Sequence, residues 1–394
     1  MRVPSLSRVT SGGVFIPEVD GLRFIAIASV VLLHLQWALA NRFSTFVPAN
    51  PVTAAIGHGA RGVQIFFAIS GFILGLPFAS HALAAGPPVS LRKYFLRRVT
   101  RLEPPYIVCM LLLFLVEVAR HRYSFPLLQS LLASLVYLHN AVFGMGSWVN
   151  GVAWSLEVEV QFYCLVPLLA AVFWIRHPAV RRTFLLITIV SATLAQWHYF
   201  AAAPRFHLSI LFQAQFFLVG FLLADLYVCE WKNGRLHHWA WDVAALLGWP
   251  LLFLFPDGGP FWITMPLLAA ILFCSALNGN LIRKVLSNRW IATIGGMCYT
   301  IYLLHYAVTM RALILTHRVL HGASYPLYYL VQLLLLLPAL AVFCVAFFLL
   351  IERPCMRSDW PQRLWHWLHS RRPDVRLPRQ GLPPAAENQV SATD

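Results

Sequence analysis

Charge is what this chain has least of. Asp, Glu, Lys and Arg together make up 11% of its 394 residues, where a soluble domain carries about 25%. Hydrophobic residues fill 59%, and several apolar runs reach the ~20 residues that a helix needs to cross a bilayer. These proportions exclude a soluble globule. The alternating ten-residue strands of an outer-membrane barrel are also absent. Acidic residues are scarcer still, 15 against 30 Lys and Arg, for a net charge of +15. The basic residues sit in short loops between apolar runs, as the positive-inside rule expects. The excess therefore reads as topology, with the lipid bilayer as partner and no nucleic acid.

Other absences narrow the chemistry. None of the seven cysteines forms a Cys-x-x-Cys pair, so neither a disulfide framework nor a metal site is expected. There is no Gly-x-Ser-x-Gly elbow, Walker loop or His-Glu-x-x-His. Two His-x4-Asp matches, His237 to Asp242 and His369 to Asp374, fall in a loop and in the tail, and with 15 histidines chance matches are expected. Residues 1–20 lack an apolar run with a cleavage site after it, so the first span is expected to act as the insertion signal.

Spans are predicted at 22–40, 62–80, 103–119, 153–175, 183–200, 209–229, 239–255, 260–278, 297–318 and 326–351. Segment 127–143 is apolar but ambiguous, and charge decides its treatment. If it does not cross, one side collects Arg2, Arg8, Arg92, Lys93, Arg97, Arg98, Arg101, Arg176, Arg181, Arg182, Lys232, Arg235, Arg283, Lys284, Arg289 and the arginines from Arg353 onward. The other keeps only Arg42, Arg61, Arg120, Arg122, Arg205, Arg311 and Arg318. The expectation is an all-α polytopic membrane protein: a bundle of about ten transmembrane helices with both termini cytoplasmic and 127–143 re-entrant or interfacial. Residues 1–20 are read as an N-terminal tail and 21–355 as the membrane domain. In 356–394, Trp360, Leu364, Trp367 and Leu368 suit an amphipathic helix on the inner leaflet, with a polar, Pro-rich disordered stretch after it.

Five places within this apolar chain carry chemistry. Arg23 and His34 lie eleven residues apart in the first span, ~16 Å along one helix. A histidine at that depth is costly unless it faces a bundle interior or a wet cavity. Ser70 and Gly71, in the second span, suit either close helix packing or a substrate contact. Arg98 and Arg101, three apart on one helical face, suit the phosphates of a nucleotide-bearing donor or of lipid. In Trp154-Ser-Leu-Glu157-Val-Glu159, two carboxylates open a span. A helix N-terminus accounts for one of them, and polar substrate binding is the alternative for the pair. His305, with Tyr299 and Tyr302 on its face, is either a satisfied bundle histidine or part of a site.

In order and spacing these pieces resemble the acyltransferase-3 family of integral-membrane O-acyltransferases. The resemblance runs through most of residues 15–355: Asp20-Gly-Leu-Arg23 to His34, Gly62-Val-x-x-Phe-Phe-x-x-Ser70-Gly71-Phe72, Arg98-x-x-Arg101-x-x-Pro104, Trp154-Ser-Leu-x-x-Glu159-x-x-Phe162-Tyr163, Gly220-Phe-Leu-Leu-Ala224, Tyr302-Leu-Leu-His305 and Glu352-Arg-Pro354. Cys298 stands where the family usually has serine, and the family's glutamate aligns with either Glu157 or Glu159. The stretch after residue 355 is too short for the extracellular esterase-like domain of some relatives, so the membrane domain is expected to complete acyl delivery alone.

The resemblance implies transfer of an acyl group, most often acetyl, from cytoplasmic acyl-CoA to a hydroxyl of a sugar in a glycan, glycolipid or glycosylated small molecule, in a bacterial inner membrane. Acyl-CoA is then a co-substrate, and no cofactor is permanently bound. On this reading Arg98 and Arg101 bind the CoA phosphates and Arg23, with Ser70, guides the thioester inward. His34 is general base or covalent relay. Glu157 or Glu159 binds acceptor hydroxyls at the outer face, and Tyr302, His305 and Trp154 line the substrate cavity. A proton-coupled transporter or flippase is the competing class. A non-catalytic scaffold leaves the intramembrane polar residues unexplained.

Overall fold

The computed structural model describes residues 15–200, 206–231, 237–357 and 359–362. The chain divides into two units, 1–358 and 359–394. The tail helix expected around 360–372 lies, from residue 363 on, outside the described residues.

Every regular element among the described residues is a helix. In chain order these are α1 (Pro17–Arg42), α2 (Pro51–Leu83, carried through a 3-10 turn at His58–Arg61), α3 (Leu91–Ala119), α4 (Phe125–Leu135), α5 (His139–Phe143) and α6 (Gly151–Trp174). They continue with α7 (Pro178–Tyr199), α8 (Ile210–Trp231), α9 (Trp239–Leu254), α10 (Gly259–Asn278), α11 (Leu281–Leu286), α12 (Arg289–Gly296), α13 (Cys298–Thr316) and α14 (Tyr325–Cys355). Nine of them are long and apolar enough to cross a membrane: α1, α2, α3, α6, α7, α8, α10, α13 and α14. They coincide with nine of the ten expected spans. The tenth, expected at 239–255, is α9, which has only 16 residues. Segment 127–143 breaks into α4, 11 residues long, and the single turn α5, and neither is long enough to cross.

Between apolar helices in lipid, association rests on close packing rather than on expulsion of water. The most extensive close crossing is α2 on α8. A β-carbon on Gly71 would lie 2.1 Å from the Phe217 carbonyl oxygen, and one on Gly220 would lie 2.3 Å from that of Ala68. Glycine on both helices is what permits this approach. Around it lies an aromatic core in which Phe162 stacks on Phe217 at 4.0 Å, Phe67 on Phe217 at 4.7 Å and Phe173 on Phe221 at 5.4 Å. Such pairs contribute about 0.5–1.5 kcal/mol each beyond burial. Ion pairs fix the ends. Asp225, on α8, holds both Arg181 and Arg182 of α7. Arg61 pairs with Asp257 at 2.5 Å over the Phe261 ring. Asp242, one half of a discounted His-x4-Asp match, instead caps α11 by accepting from the Asn280, Leu281 and Ile282 N–H groups.

Helix α1 runs through the middle of the site. It packs against α2, α12 and α13, carries Arg23 near one end and Arg42 at the other, and holds His34 between them.

Candidate active site

His34 and His305 face each other across α1 and α13. His305 is fully buried. Its Nδ1 lies 2.8 Å from the Tyr302 carbonyl oxygen and 3.0 Å from that of Ile301. Carbonyls only accept, so Nδ1 carries the proton and Nε2 is left as an acceptor. That Nε2 lies 3.2 Å from His34 Nδ1, which is also 2.8 Å from the Val30 carbonyl oxygen. With two acceptors around it, His34 Nδ1 holds its proton too. The His34 Nε2 lone pair is then left with no hydrogen-bond partner among the described residues. The ring makes an edge-to-face contact with Tyr306, with centroids 5.3 Å apart.

Tyr306 is the link to a cavity of about 300 Å³. Its wall is formed by the C-terminal end of α1 (Arg42), the end of α3 (Glu117, with Arg122 beyond it), the loop Ser147–Gly151 and the middle of α13 (Tyr306, Arg311). Glu117 accepts from Arg311 and lies 3.7 Å from Arg122. The loop is held by a buried network. Ser130 Oγ lies 2.9 Å from His139 Nε2 and accepts from the Trp148 N–H at 3.1 Å. Ser134 Oγ donates to Ser147 Oγ at 2.8 Å.

Toward the other end of α1 a second polar group collects. Arg23 pairs with Asp20. Ser70 Oγ donates to Glu159 Oε1 at 2.6 Å, Tyr163 also bonds Glu159, and Glu159 lies within electrostatic range of both Arg23 and Arg98. Arg98 lies 3.6 Å from the Tyr94 ring centroid and 5.7 Å from that of Tyr163. It donates to the Tyr94 carbonyl at 2.7 Å. Arg101, one turn on, has no side-chain partner among the described residues. Arg23, Ser70, Arg98 and Glu159 thus form one group. His34 stands ~16 Å along α1 from Arg23 and ~12 Å from Arg42.

Five residues lie elsewhere than expected. Glu157 is 3% exposed and accepts from the Asn140 N–H at 3.0 Å and the Ala141 N–H at 3.4 Å. It caps the turn α5 and is not open to an acceptor. Glu159 lies with the arginines, at the opposite end from the cavity. The Tyr302 hydroxyl donates to the Val152 carbonyl and accepts from Ser155 at 3.1 Å, so it is spent on joining α13 to α6. His305 touches His34 and does not line the cavity beside Tyr306, and Trp154 packs edge-on against Phe67 at 6.4 Å. The cavity is instead lined by Tyr306, Trp148, Asn150, Arg42 and Arg311. Tyr306 is the next residue after His305 in sequence. Arg42 and Arg311, taken along the sequence, read as topology alone.

Comparison with known proteins gives relatives of one kind. Over 324 residues, 75% of this chain and 50% of the relative, it is 23% identical to the O-acetyltransferase OatA of Staphylococcus aureus. Over 178 residues, 42% of this chain and 26% of the relative, it is 27% identical to the peptidoglycan O-acetyltransferase OatA of Listeria monocytogenes. The match to the putative membrane-bound transacylase BcsY of Komagataeibacter xylinus is 27% over 338 residues, 78% of this chain and 76% of the relative. The chain thus spans half or less of the length of the two OatA relatives. No solved structure matches it. The family model for the acyltransferase-3 domain matches residues 16–353, which take in both polar groups and the histidine pair between them, and the chain belongs to that family.

Proposed function

We propose that this protein is a membrane O-acyltransferase that moves an acyl group, acetyl in the simplest case, from acyl-CoA to a sugar hydroxyl, with His34 as the base. The observation that carries this reading is the state of His34. Its Nδ1 is held by Val30 and His305, its Nε2 is unspent, and it stands between an arginine group and a cavity.

On this reading the Arg98 end faces the cytoplasm. Arg101 and Arg98 hold the CoA phosphates, and Arg23 steadies the thioester arm. The acceptor enters through the cavity past Tyr306. Its hydroxyl oxygen attacks the thioester carbonyl while His34 Nε2 removes the hydroxyl proton. The tetrahedral intermediate collapses to ester and CoA thiolate, which recovers that proton from the imidazolium. His305 Nε2 accepts from His34 Nδ1–H and so fixes the ring that must receive the proton. The covalent variant, with acyl carried on His34 Nε2, uses the same geometry.

The test tracks label from acetyl-CoA, marked in its acetyl group, into glycan or glycolipid, together with free CoA thiol. It uses membranes holding the natural chain or His34→Ala. General-base catalysis contributes about 10²–10⁴-fold, so the variant should lose at least that lower factor in both signals. Equal label in both removes His34 from the chemistry. No label and no thiol from the natural chain favours the transporter reading.

A further inference from the structure

We propose that the cavity beside Tyr306 is a subsite for an acidic saccharide, a sugar bearing a carboxylate or phosphate. The proposal deepens the acyltransferase reading and rests on it for the occupant's fate, though not for its binding.

The lining chemistry carries the argument. Three guanidinium groups, of Arg42, Arg122 and Arg311, share the wall with one carboxylate, Glu117. Glu117 is committed to Arg311 and lies 3.7 Å from Arg122. Arg42 has no hydrogen-bond or ion-pair partner among the described residues, and Arg122 is half exposed. The wall is therefore positive overall and keeps guanidinium donors available for a bidentate anion.

A second, independent observation points to a polar occupant. Asn150 is 2% exposed and lies in the cavity wall. Its Nδ2 donates to the Leu303 carbonyl at 3.0 Å, while its Oδ1 accepts from nothing among the described residues. A buried acceptor left unmade is unfavourable, and a sugar hydroxyl would satisfy it once the loop Ser147–Gly151 shifts to open that oxygen, which is closed to solvent here. The rest of the wall fits a pyranose ring. Trp148 and Tyr306 offer flat apolar faces with polar edges, and a volume of about 300 Å³ is at the lower end for small-ligand sites. Because Tyr306 also meets the His34 ring, a sugar in this cavity is separated from that imidazole by one side chain.

The experiment measures binding to the purified full chain in detergent by calorimetry. The probes are glucuronic acid, N-acetylglucosamine 1-phosphate and their neutral counterparts, glucose and N-acetylglucosamine. The acidic probes should bind at least tenfold more tightly than the neutral ones. That preference should shrink in 0.5 M salt, where exposed charges are screened, and fall at least fivefold in Arg42→Gln and in Arg122→Gln. Asn150→Ala should weaken acidic and neutral probes by the same factor. Arg42 and Arg122 are exposed, so their variants fold whether or not Asn150→Ala does. Equal affinity for acidic and neutral probes overturns the proposal, as does a preference untouched by either arginine variant. Displacement of all four probes by phosphatidylglycerol nanodiscs, with the same arginine dependence, assigns the site to a lipid headgroup and also overturns it. The readout is independent of turnover. Acid preference without acetyl transfer would sink the acyltransferase reading alone, and His34-dependent transfer without acid preference would sink this one alone.

Discussion

His34 can act only if its ring is held, and His305 is what holds it from outside α1. A residue that acts through another should slow turnover without loosening substrate. His305→Ala is expected to lower kcat by about ten- to a hundredfold, with KM for acyl-CoA within a factor of about three. His305→Gln, whose side-chain oxygen can still accept from His34 Nδ1–H, should recover part of the loss. A purely structural role would show no such rescue. The two glutamates divide in the same way. Successive residues turn ~100° around a helix, so Glu157 and Glu159 point ~160° apart and cannot share a task. Glu157→Gln should lower thermal stability, since it weakens the cap on α5, while kcat per folded molecule stays near the natural value. Glu159→Gln should leave stability nearer to normal and lower turnover, as the group around Arg23 and Ser70 loses its carboxylate charge. The reverse pattern, read from melting curves and initial rates, would exchange the two assignments. Arg23 and His34 were legible in the sequence because a single helix fixes their spacing. Which glutamate faced which side was not, because periodicity shows that two residues point apart but not what lies on each side.

At the scale of elements, apolar run length located nine crossings, and it did so because lipid leaves the backbone no partner but its own helix. It fails for 127–143, whose apolar content resembles a span. There the helix ends at Leu135, and Tyr137 just beyond it adopts a left-handed backbone conformation with φ 57° that hydropathy does not encode. The loop after that break forms one wall of the cavity and rests on His139, whose pKa burial lowers from its ordinary 6.5. A histidine buried neutral must be charged at a cost, so the unfolded loop binds more protons below pH 6.5 and stability rises with pH. The contribution is complete above that value and is lost as pH falls toward the lower folded-state pKa. Hydrogen exchange over 139–150, corrected for intrinsic rates, should be faster at pH 5.5 than at 7.5 by more than in the rest of the bundle. His139→Gln should remove the excess. An excess unchanged in that variant would place the titrating group elsewhere.

Across the whole molecule the basic residues separate by end, and the separation has two causes that the sequence alone superimposes. Arg92, Lys93, Arg97 and Arg101 crowd one end of α3, as topology requires. Arg42, Arg122 and Arg311 gather at the cavity, and counting charge per loop could not distinguish them from topological signals, because their convergence comes from three separate parts of the chain. Single cysteines placed at residues 97 and 148 in a background lacking exposed thiols should react with a membrane-impermeant maleimide from opposite sides. Position 148 should label in intact cells and position 97 only after lysis. Labelling of both from one side would overturn the arrangement in which donor and acceptor approach from opposite faces.

Helix α1 contains neither proline nor glycine between Arg23 and His34, so nothing in that stretch lets it bend or stretch. On the proposed reading it is a gauge. The distance from the anchoring arginine to the reacting imidazole is set by hydrogen-bonded turns, and a donor is measured against it. A thioester on a shortened arm would seat its phosphates and stop short of the base, occupying the enzyme without reacting. Inserting one alanine after Val30 would lengthen the gauge by only ~1.5 Å but swing His34 by ~100° away from His305. Length and direction are set by the same eleven-residue interval, and neither can be altered without the other.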